Sequence, residues 1–479
     1  MPTLLWFRQD LRLTDHPALH VAVAVGDPII PVYVHAPEEE GRWPAGAASH
    51  VWLHQSLKRL TRDLYAIGST LIIRRGKSLD VLLDLAQELG ADRVYWSRRY
   101  EPAAIARDTG VKAGLQAQGL EAKSFNGSLL FEPWNVETKS GGPYKVFTPF
   151  WNMLQTLPPP REPLPAPRKL KRPSTWPESM SVDELKLKPT RDWDAGIESD
   201  WTPGEAGALA ELDRFLDHAL IGYSDGRDRP AMRGTSRMSP YLHFGEISPN
   251  TIWYNVHEHA QSTGGAGTIT AATSYLREIA WREFAHHLLY HFPQTPDAPL
   301  KAVYENFPWN ERPGQLAAWQ QGMTGYPIVD AGLRELWHTG WMHNRVRMIV
   351  ASFLIKDLLI DWRKGAAWFW DTLVDADLAN NTMGWQWTAG CGADASPFFR
   401  VFNPMSQGEK FDPNGDYARK WCPELSDLPN KWIYRPFEAP AEILSAAGVT
   451  LGKHYPKPIV NHKVAREKAL AALAEMKLA

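Results

Sequence analysis

Residues 375 to 390 read DADLANNTMGWQWTAG. Two acids two residues apart, followed by asparagine, form a donor set that can hold a metal for phosphoryl chemistry. The same residue types also cap helices. Neither reading accounts for Trp385 and Trp387, which follow two apart with glycines on either side. Two further groups repeat a helical spacing. In LREIAWREF, Glu278, Trp281 and Arg282 lie at i, i+3 and i+4, and in MHNRVRMIVASF so do Asn344, Arg347 and Met348. Each sets a polar group beside a large apolar or polarizable one, as a cavity wall facing a planar, hydrogen-bonding ligand would. The plain alternative is an exposed, salt-bridged stripe. In GTSRMSPYLHFG, Thr235, Ser236 and Ser239 precede an apolar run. Hydroxyls and amides at such a place either cap a helix or cradle a phosphate.

The elements that must position these residues can be read from periodicity. TLLWFR (3–8), IIPVYVH (29–35), TLIIRR (70–75) and RVYWSR (93–98) are short runs rich in β-branched and aromatic residues. Helical patterns at 49–68 and 78–90 separate them, so the first 130 residues are expected to form a parallel α/β sheet of Rossmann-like type. Such sheets take ligands beyond the carboxyl ends of their strands. Neither GxGxxG nor GxxxxGK[ST] occurs. Residues 157 to 204 are rich in proline and charge and read as an extended connection. From about 205 onward apolar residues recur at three and four, which predicts an all-α half.

Composition narrows the class. The 479 residues carry a net charge of −2, so nucleic-acid binding would need a local basic patch. Two cysteines, Cys391 and Cys422, exclude a four-cysteine cluster and fit a reducing compartment. The start, MPTLLWFRQDLRL, has no apolar signal core, and no run of about 18 apolar residues occurs, so a cytoplasmic protein without a membrane span is expected. Tryptophan is abundant, 22 in all, with ten between Trp281 and Trp387. Core packing, ring stacking on a ligand and electron hopping all remain open to them.

These pieces together resemble the photolyase/cryptochrome family over nearly the whole chain. The resemblance runs from LLWFRQDLRLTDHPAL through YKVFTPFW (144–151), GTSRMSPYL and WREF. It continues through TGYPIVDAGLRELWHTGWMHNRVRMIVASFLIKDLLIDWR and ends with FNPMSQGEKFDPNGDYARKW. It implies an α/β antenna domain at 1–131, a linker at 132–204 and a helical FAD- and DNA-binding domain at 205–479. It also implies that Tyr223, Thr235, Ser236, Arg237, Met238 and Ser239 hold the phosphates and ribityl chain of FAD. Asn344, Arg347, Asp375, Asp377 and Asn381 would surround the flavin ring, with Tyr275 and Arg282 also at the cofactor. Arg347 and Asp375 would pair, and Asn381 would face flavin N5. Trp385, Trp362 and Trp309 match the family's electron relay, although Trp319, Trp337, Trp341, Trp368 and Trp370 leave room for another route.

The implied reaction is light-driven repair of a cyclobutane pyrimidine dimer, flipped out of DNA and split by electron transfer from reduced FAD. Glu278, Asn344, Trp281, Met348, Trp387 and Arg227 match lesion-contacting positions, and Arg345, Arg400 and Lys410 are candidates for backbone phosphates. A six-four repair enzyme would be expected to have a histidine pair on the 343–348 segment; His343 is present there, but Asn344 and Met348 follow the dimer-repair pattern. A plant-type cryptochrome would have Asp where Asn381 is. Residues 37 to 57 resemble the plant-cryptochrome segment, which points to the third class of dimer photolyase, whose usual antenna is 5,10-methenyltetrahydrofolate. PAA follows RYE (99–101) where folate-binding enterobacterial enzymes carry an acid. Glu38 is the candidate replacement, and a solvated EEE loop is the plain alternative. The protein is expected to act on DNA as a monomer. A blue-light sensor with the same FAD is the alternative inside the family. Outside it stands a nucleotide-binding α/β enzyme with an Asp-x-Asp metal site.

Overall fold

The computed structural model describes residues 1–395 and 399–478. Five strands, β1 Thr3–Phe7, β2 Ile29–His35, β3 Ile72–Arg75, β4 Arg93–Ser97 and β5 Glu121–Phe125, form one parallel sheet in the order β3-β2-β1-β4-β5. Thr3 lies opposite both Ile29 and Arg93, and the chain reverses its direction of winding at the β1–β4 boundary. The α/β expectation holds, and four strands fall where the apolar runs place them. The fifth, EAKSF, was not legible. Only Ala122 in it is buried, because an edge strand needs little apolar surface. Leu4, Trp6, Ile30, Val32, Val94 and Trp96 pack with Leu82 and Leu85 of helix Ser78–Leu89 and with Val111 and Leu115 of helix Pro102–Ala117. That core is why β1 and β2 are buried along their whole length.

By contact density the chain divides into two compact units. The first comprises Met1–Ile221, Ser236–Pro293 and Val374–Leu378; the second comprises Gly222–Thr235, Gln294–Leu373 and Ala379–Ala479. This division does not follow the boundaries at 131 and 204, because helices of the C-terminal half contribute to both units. The 132–204 segment is not a loose tether. It contains helix Phe147–Leu154, and Leu170 and Met180 donate backbone hydrogen bonds to the Ile67 and Ile73 carbonyls of the sheet region.

In the first unit the long helix Ala266–His291 carries the Glu278/Trp281/Arg282 triad. In the second, helix Pro327–Thr339 starts on proline and stops at Gly340, whose φ of 67° makes it a left-handed cap. Helix Asn344–Ser352 follows, continues into one π-helical turn, Phe353–Asp357, and carries the second triad.

Candidate functional site

The carboxyl end of the sheet is filled by the protein's own charges. Arg8 reaches Asp108 at 2.6 Å, Arg107 reaches Asp108 at 2.9 Å and Glu40 at 2.7 Å, and Arg99 reaches Glu40 and Glu101 at 2.9 Å each. The Arg8 guanidinium also lies 4.4 Å over the Trp6 ring. Burial would raise the Glu101 carboxyl, but Arg99 outweighs burial and holds it down to about 2. Of the three acids at 38–40, Glu39 caps helix Ser78–Leu89 through the Ser78 amide at 3.1 Å, Glu40 is held by Arg99 and Arg107, and Glu38 faces solvent.

Elsewhere in the first unit, helix Ala266–His291 presents a different surface. Glu278, Trp281 and Arg282 are half-exposed, one turn apart. Tyr275 is buried and packs its ring 4.5 Å from that of Phe215; burial pushes its hydroxyl up. Arg282 donates to the Ser128 carbonyl at 2.7 Å. The neighbouring Glu283 accepts from the Leu130 and Phe131 amides at 2.9 and 3.2 Å.

Asp377 lies 3.4 Å from His286, one turn beyond Arg282. Burial opposes its charge, but His286, Arg282 and His243 together hold its carboxyl well below the usual range. Burial alone would lower His286; the Asp377 carboxylate outweighs it, so the imidazole is raised. Asp375 is buried, and its carbonyl accepts from the Asp377 amide at 2.7 Å. Among the described residues no group of three or more His, Cys, Asp and Glu is placed to hold a metal ion. The Asp-x-Asp pair therefore has a histidine and an arginine for company.

The hydroxyl segment adopts an unusual backbone. Arg237 has φ 53°, in the left-handed region, and Met238 returns to the right-handed one. That alternation turns successive N–H groups toward one side, the concavity that suits an anion. The Arg237 side chain is engaged otherwise: it pairs with Asp200 and stacks 3.8 Å over Trp201. What this segment presents to an anion is its backbone. Ser236 is half-buried and Ser239 exposed.

In the second unit His343 caps helix Asn344–Ser352, its Nδ1 accepting from the Arg345 amide at 3.2 Å. Burial pushes this imidazole down to about 4, so it is neutral at physiological pH. Asn344 is exposed. Arg345 pairs with Asp228 at 2.7 Å, lies 4.5 Å over Phe411 and reaches the Met348 sulfur at 3.8 Å. Arg347 is held by the Met342 carbonyl at 2.7 Å, with Trp341 5.9 Å from its guanidinium. The Arg227 guanidinium lies 5.4 Å over the buried Tyr223 ring, and Thr235 is half-buried. Arg400 and Lys410 are exposed.

Helix Leu378–Ala389 separates its residues by burial. The Asn381 amide nitrogen donates to the Ala366 carbonyl at 3.0 Å, which turns its oxygen away as an acceptor. Trp385 is buried at 2% exposure, whereas Trp387, two residues on, is half-exposed. The rings against Trp385 are Phe369 at 5.0 Å and Trp319 at 6.3 Å. Position 365 is glycine because a Cβ there would lie 2.1 Å from the Trp385 ring. Trp362 is buried under Arg363. Trp309 packs 4.3 Å from Phe307 in a cluster with Ala469, Ala472 and Met476. Among the described residues no ring contact joins Trp385 to Trp362 or Trp362 to Trp309.

Three residues escaped the sequence reading. His286 was detectable, since it lies at i+4 from Arg282 and i+8 from Glu278. His343 was considered only as half of a histidine pair, and its capping role depends on three-dimensional structure. Phe147, stacked on Trp281 at 3.7 Å, lies 134 positions away, and its motif carried no local sign of a partner.

Comparison with known proteins identifies the family. A family model for DNA photolyase matches residues 3–168, and one for the FAD-binding domain of DNA photolyase matches residues 275–475. The chain belongs to the photolyase/cryptochrome family. It is 51% identical to a deoxyribodipyrimidine photo-lyase of Agrobacterium fabrum, over 99% of this chain and 98% of that one. Its fold superposes on the crystal structure of a bacterial class III photolyase from Agrobacterium tumefaciens with a TM-score of 0.96 at 51% identity, covering 100% and 98% of the two chains. Cryptochrome-1 of Arabidopsis thaliana is 39% identical over 99% of this chain and 70% of its own. An archaeal photolyase from Sulfolobus tokodaii, solved with two FAD molecules, has a TM-score of 0.82 at 31% identity, covering 99% and 100%.

Proposed function

We propose that this protein is a deoxyribodipyrimidine photo-lyase that repairs cyclobutane pyrimidine dimers in DNA under blue light. The observation that carries the reading is the pair of helical triads. Each keeps polar and large apolar side chains accessible at one-turn spacing, on a chain alike to photo-lyases from end to end. FAD, when bound, supplies a light-driven electron to the dimer. The residues present fit it. The left-handed Arg237 backbone, with Ser236, Ser239, Tyr223 and Thr235, suits the pyrophosphate and ribityl chain. Arg347, Asp375 and Asp377 suit the polar edge of the ring. Asn381, pinned through its nitrogen, offers its oxygen to a ring N–H.

Toward the lesion, Trp281 and Trp387 each offer an indole face. Met348 supplies a deformable apolar contact, and Glu278, Asn344 and Arg227 supply hydrogen bonds to base edges. Arg345, Arg400 and Lys410 take backbone phosphates, so affinity falls with salt. Trp385, Trp362 and Trp309 serve reduction of the cofactor rather than repair.

The antenna is 5,10-methenyltetrahydrofolate, with exposed Glu38 accepting from the pterin edge. The working form is a cytoplasmic monomer; among the described residues no helix is long and apolar enough to cross a membrane. Light-sensing with the same FAD is the second reading, and the Arabidopsis likeness supports it. The deciding experiment illuminates photoreduced protein with ultraviolet-damaged oligonucleotide. Disappearance of dimers is expected. Undiminished dimers with retained flavin absorbance would leave only the sensor.

A further inference from the structure

The motif YKVFTPFW supplies no residue to the site proposed above, yet it makes a close parallel ring stack. Phe147, the first residue of helix Phe147–Leu154, lies 3.7 Å from the Trp281 ring at an interplanar angle of 9°. Trp281 is half-exposed, whereas Phe147 is buried at 1% exposure. Phe284 stands on the helix of Trp281, three residues on, and meets both rings edge-on: 5.9 Å from Phe147 at 68° and 5.9 Å from Trp281 at 73°. Phe150, one turn beyond Phe147, in turn holds Phe284 at 5.2 Å. Tyr144 ties the motif to the same long helix, its amide donating to His287 Nε2 at 3.0 Å.

An indole on a helix surface turns about two side-chain torsions, and ordering such a side chain on binding costs affinity. Here the ring is stopped at one face and at one edge. A flat partner lies against one face and an edge-on ring prevents tilting, the two arrangements that aromatic quadrupoles favour. One face of Trp281 is thereby used up, and the other is held in a fixed plane before any ligand arrives.

We propose that Phe147 is a positioning residue for dimer recognition: it fixes the plane of Trp281 so that the indole offers a single, pre-oriented face to the lesion. The inference rests on Trp281 being a wall of the dimer pocket. Phe147 itself touches neither lesion nor cofactor; its effect runs through Trp281. It therefore acts on affinity for damaged DNA and not on the photochemical yield once the lesion is bound.

The test compares Phe147→Leu, Phe147→Met and Phe147→Tyr with the wild type and with Trp281→Ala, all as FAD-loaded full-length protein. The probes are an oligonucleotide with one thymine dimer and its undamaged counterpart. Leu and Met keep apolar volume without a flat face. Each should weaken dimer binding about three- to tenfold, the worth of one aromatic stack. Bound FAD, affinity for undamaged DNA and repair yield per photon at saturating DNA should stay as in the wild type, and Tyr should restore affinity. Wild-type dimer affinity in both Leu and Met variants, with Trp281→Ala impaired, overturns the inference. Equal loss of damaged and undamaged binding, or loss of FAD, overturns it too, since Phe147 would then be mere scaffold. If Trp281→Ala binds the dimer as the wild type does, the pocket reading falls first and the inference with it.

Discussion

At the carboxyl end of the sheet, Arg8, Arg99 and Arg107 meet Asp108, Glu40 and Glu101 within 2.6–2.9 Å. On helix Ala266–His291, in the same unit, Glu278, Trp281 and Arg282 are built from similar residue types yet stand half-exposed. The first region is a completed network in which each charge neutralises a neighbour. Sheets of this topology take ligands at their winding reversal, and here protein charges fill that place. The second region has its backing completed, by Phe147, Ser128 and the Glu283 contacts, and its outward face half-exposed. The difference teaches that charge density alone does not mark a site. What marks it is polar and aromatic surface that the scaffold supports from behind and leaves accessible in front.

The comparison breaks if the first region proves functional or the second merely structural. The largest effect should come from Asp108→Ala. It strands the buried Arg8 guanidinium, so unfolding free energy in urea should drop by about 3–5 kcal/mol. Dimer affinity of the folded fraction should be untouched, and a specific loss of affinity would make the network part of a site. Next, Trp281→Ala should cost dimer binding about 1–3 kcal/mol, the worth of one stacked base, with FAD retained in flavin titration. Equal losses of both ligands would contradict the assignment. Glu278→Ala should lower repair per photon by about two- to tenfold, the range of one hydrogen bond; an unchanged yield removes its role.

Smaller still is the pH effect of the Asp377–His286 pair. His286 is raised, so its contribution to stability is whole below about pH 6.5 and fades as pH climbs through its folded value. Asp377 is lowered, so its contribution is whole above about pH 4 and is lost only on acidification. The stability gap between wild type and His286→Asn should therefore shrink from about pH 6 to pH 9. A constant gap would mean that folding leaves the imidazole's pKa unshifted. The smallest effect on repair is expected for Trp309→Phe, which should slow photoreduction of oxidised enzyme and leave repair by reduced enzyme near wild type. Loss of repair there would move Trp309 out of the relay.

Much of the molecule was legible before folding. Runs such as IIPVYVH announce a buried parallel strand because both faces of such a strand are apolar. Glu278 and Trp281 announce one helix face because i and i+3 coincide on a 3.6-residue turn. What stayed hidden follows from the same rules. EAKSF is an edge strand and needs no apolar run. Residues 132 to 204 lack periodicity, yet they dock through backbone hydrogen bonds that any sequence could make. In DADLANNTMGWQWTAG, the two-residue step from Trp385 to Trp387 is in the sequence, but only packing decided that the first is buried against Phe369 and Trp319 and the second half-exposed.

The amino-acid sequence alone determined the α/β-then-α organisation, the family and the residue types at the proposed cofactor and lesion positions, because periodicity and local motifs are short-range properties of the chain. Tertiary structure decided which charges meet which partners, and which rings are locked. Asp377 has His286, the sheet's arginines have their acids and Trp281 has Phe147 only after segments up to 134 positions apart have met. No spacing rule reaches across that distance.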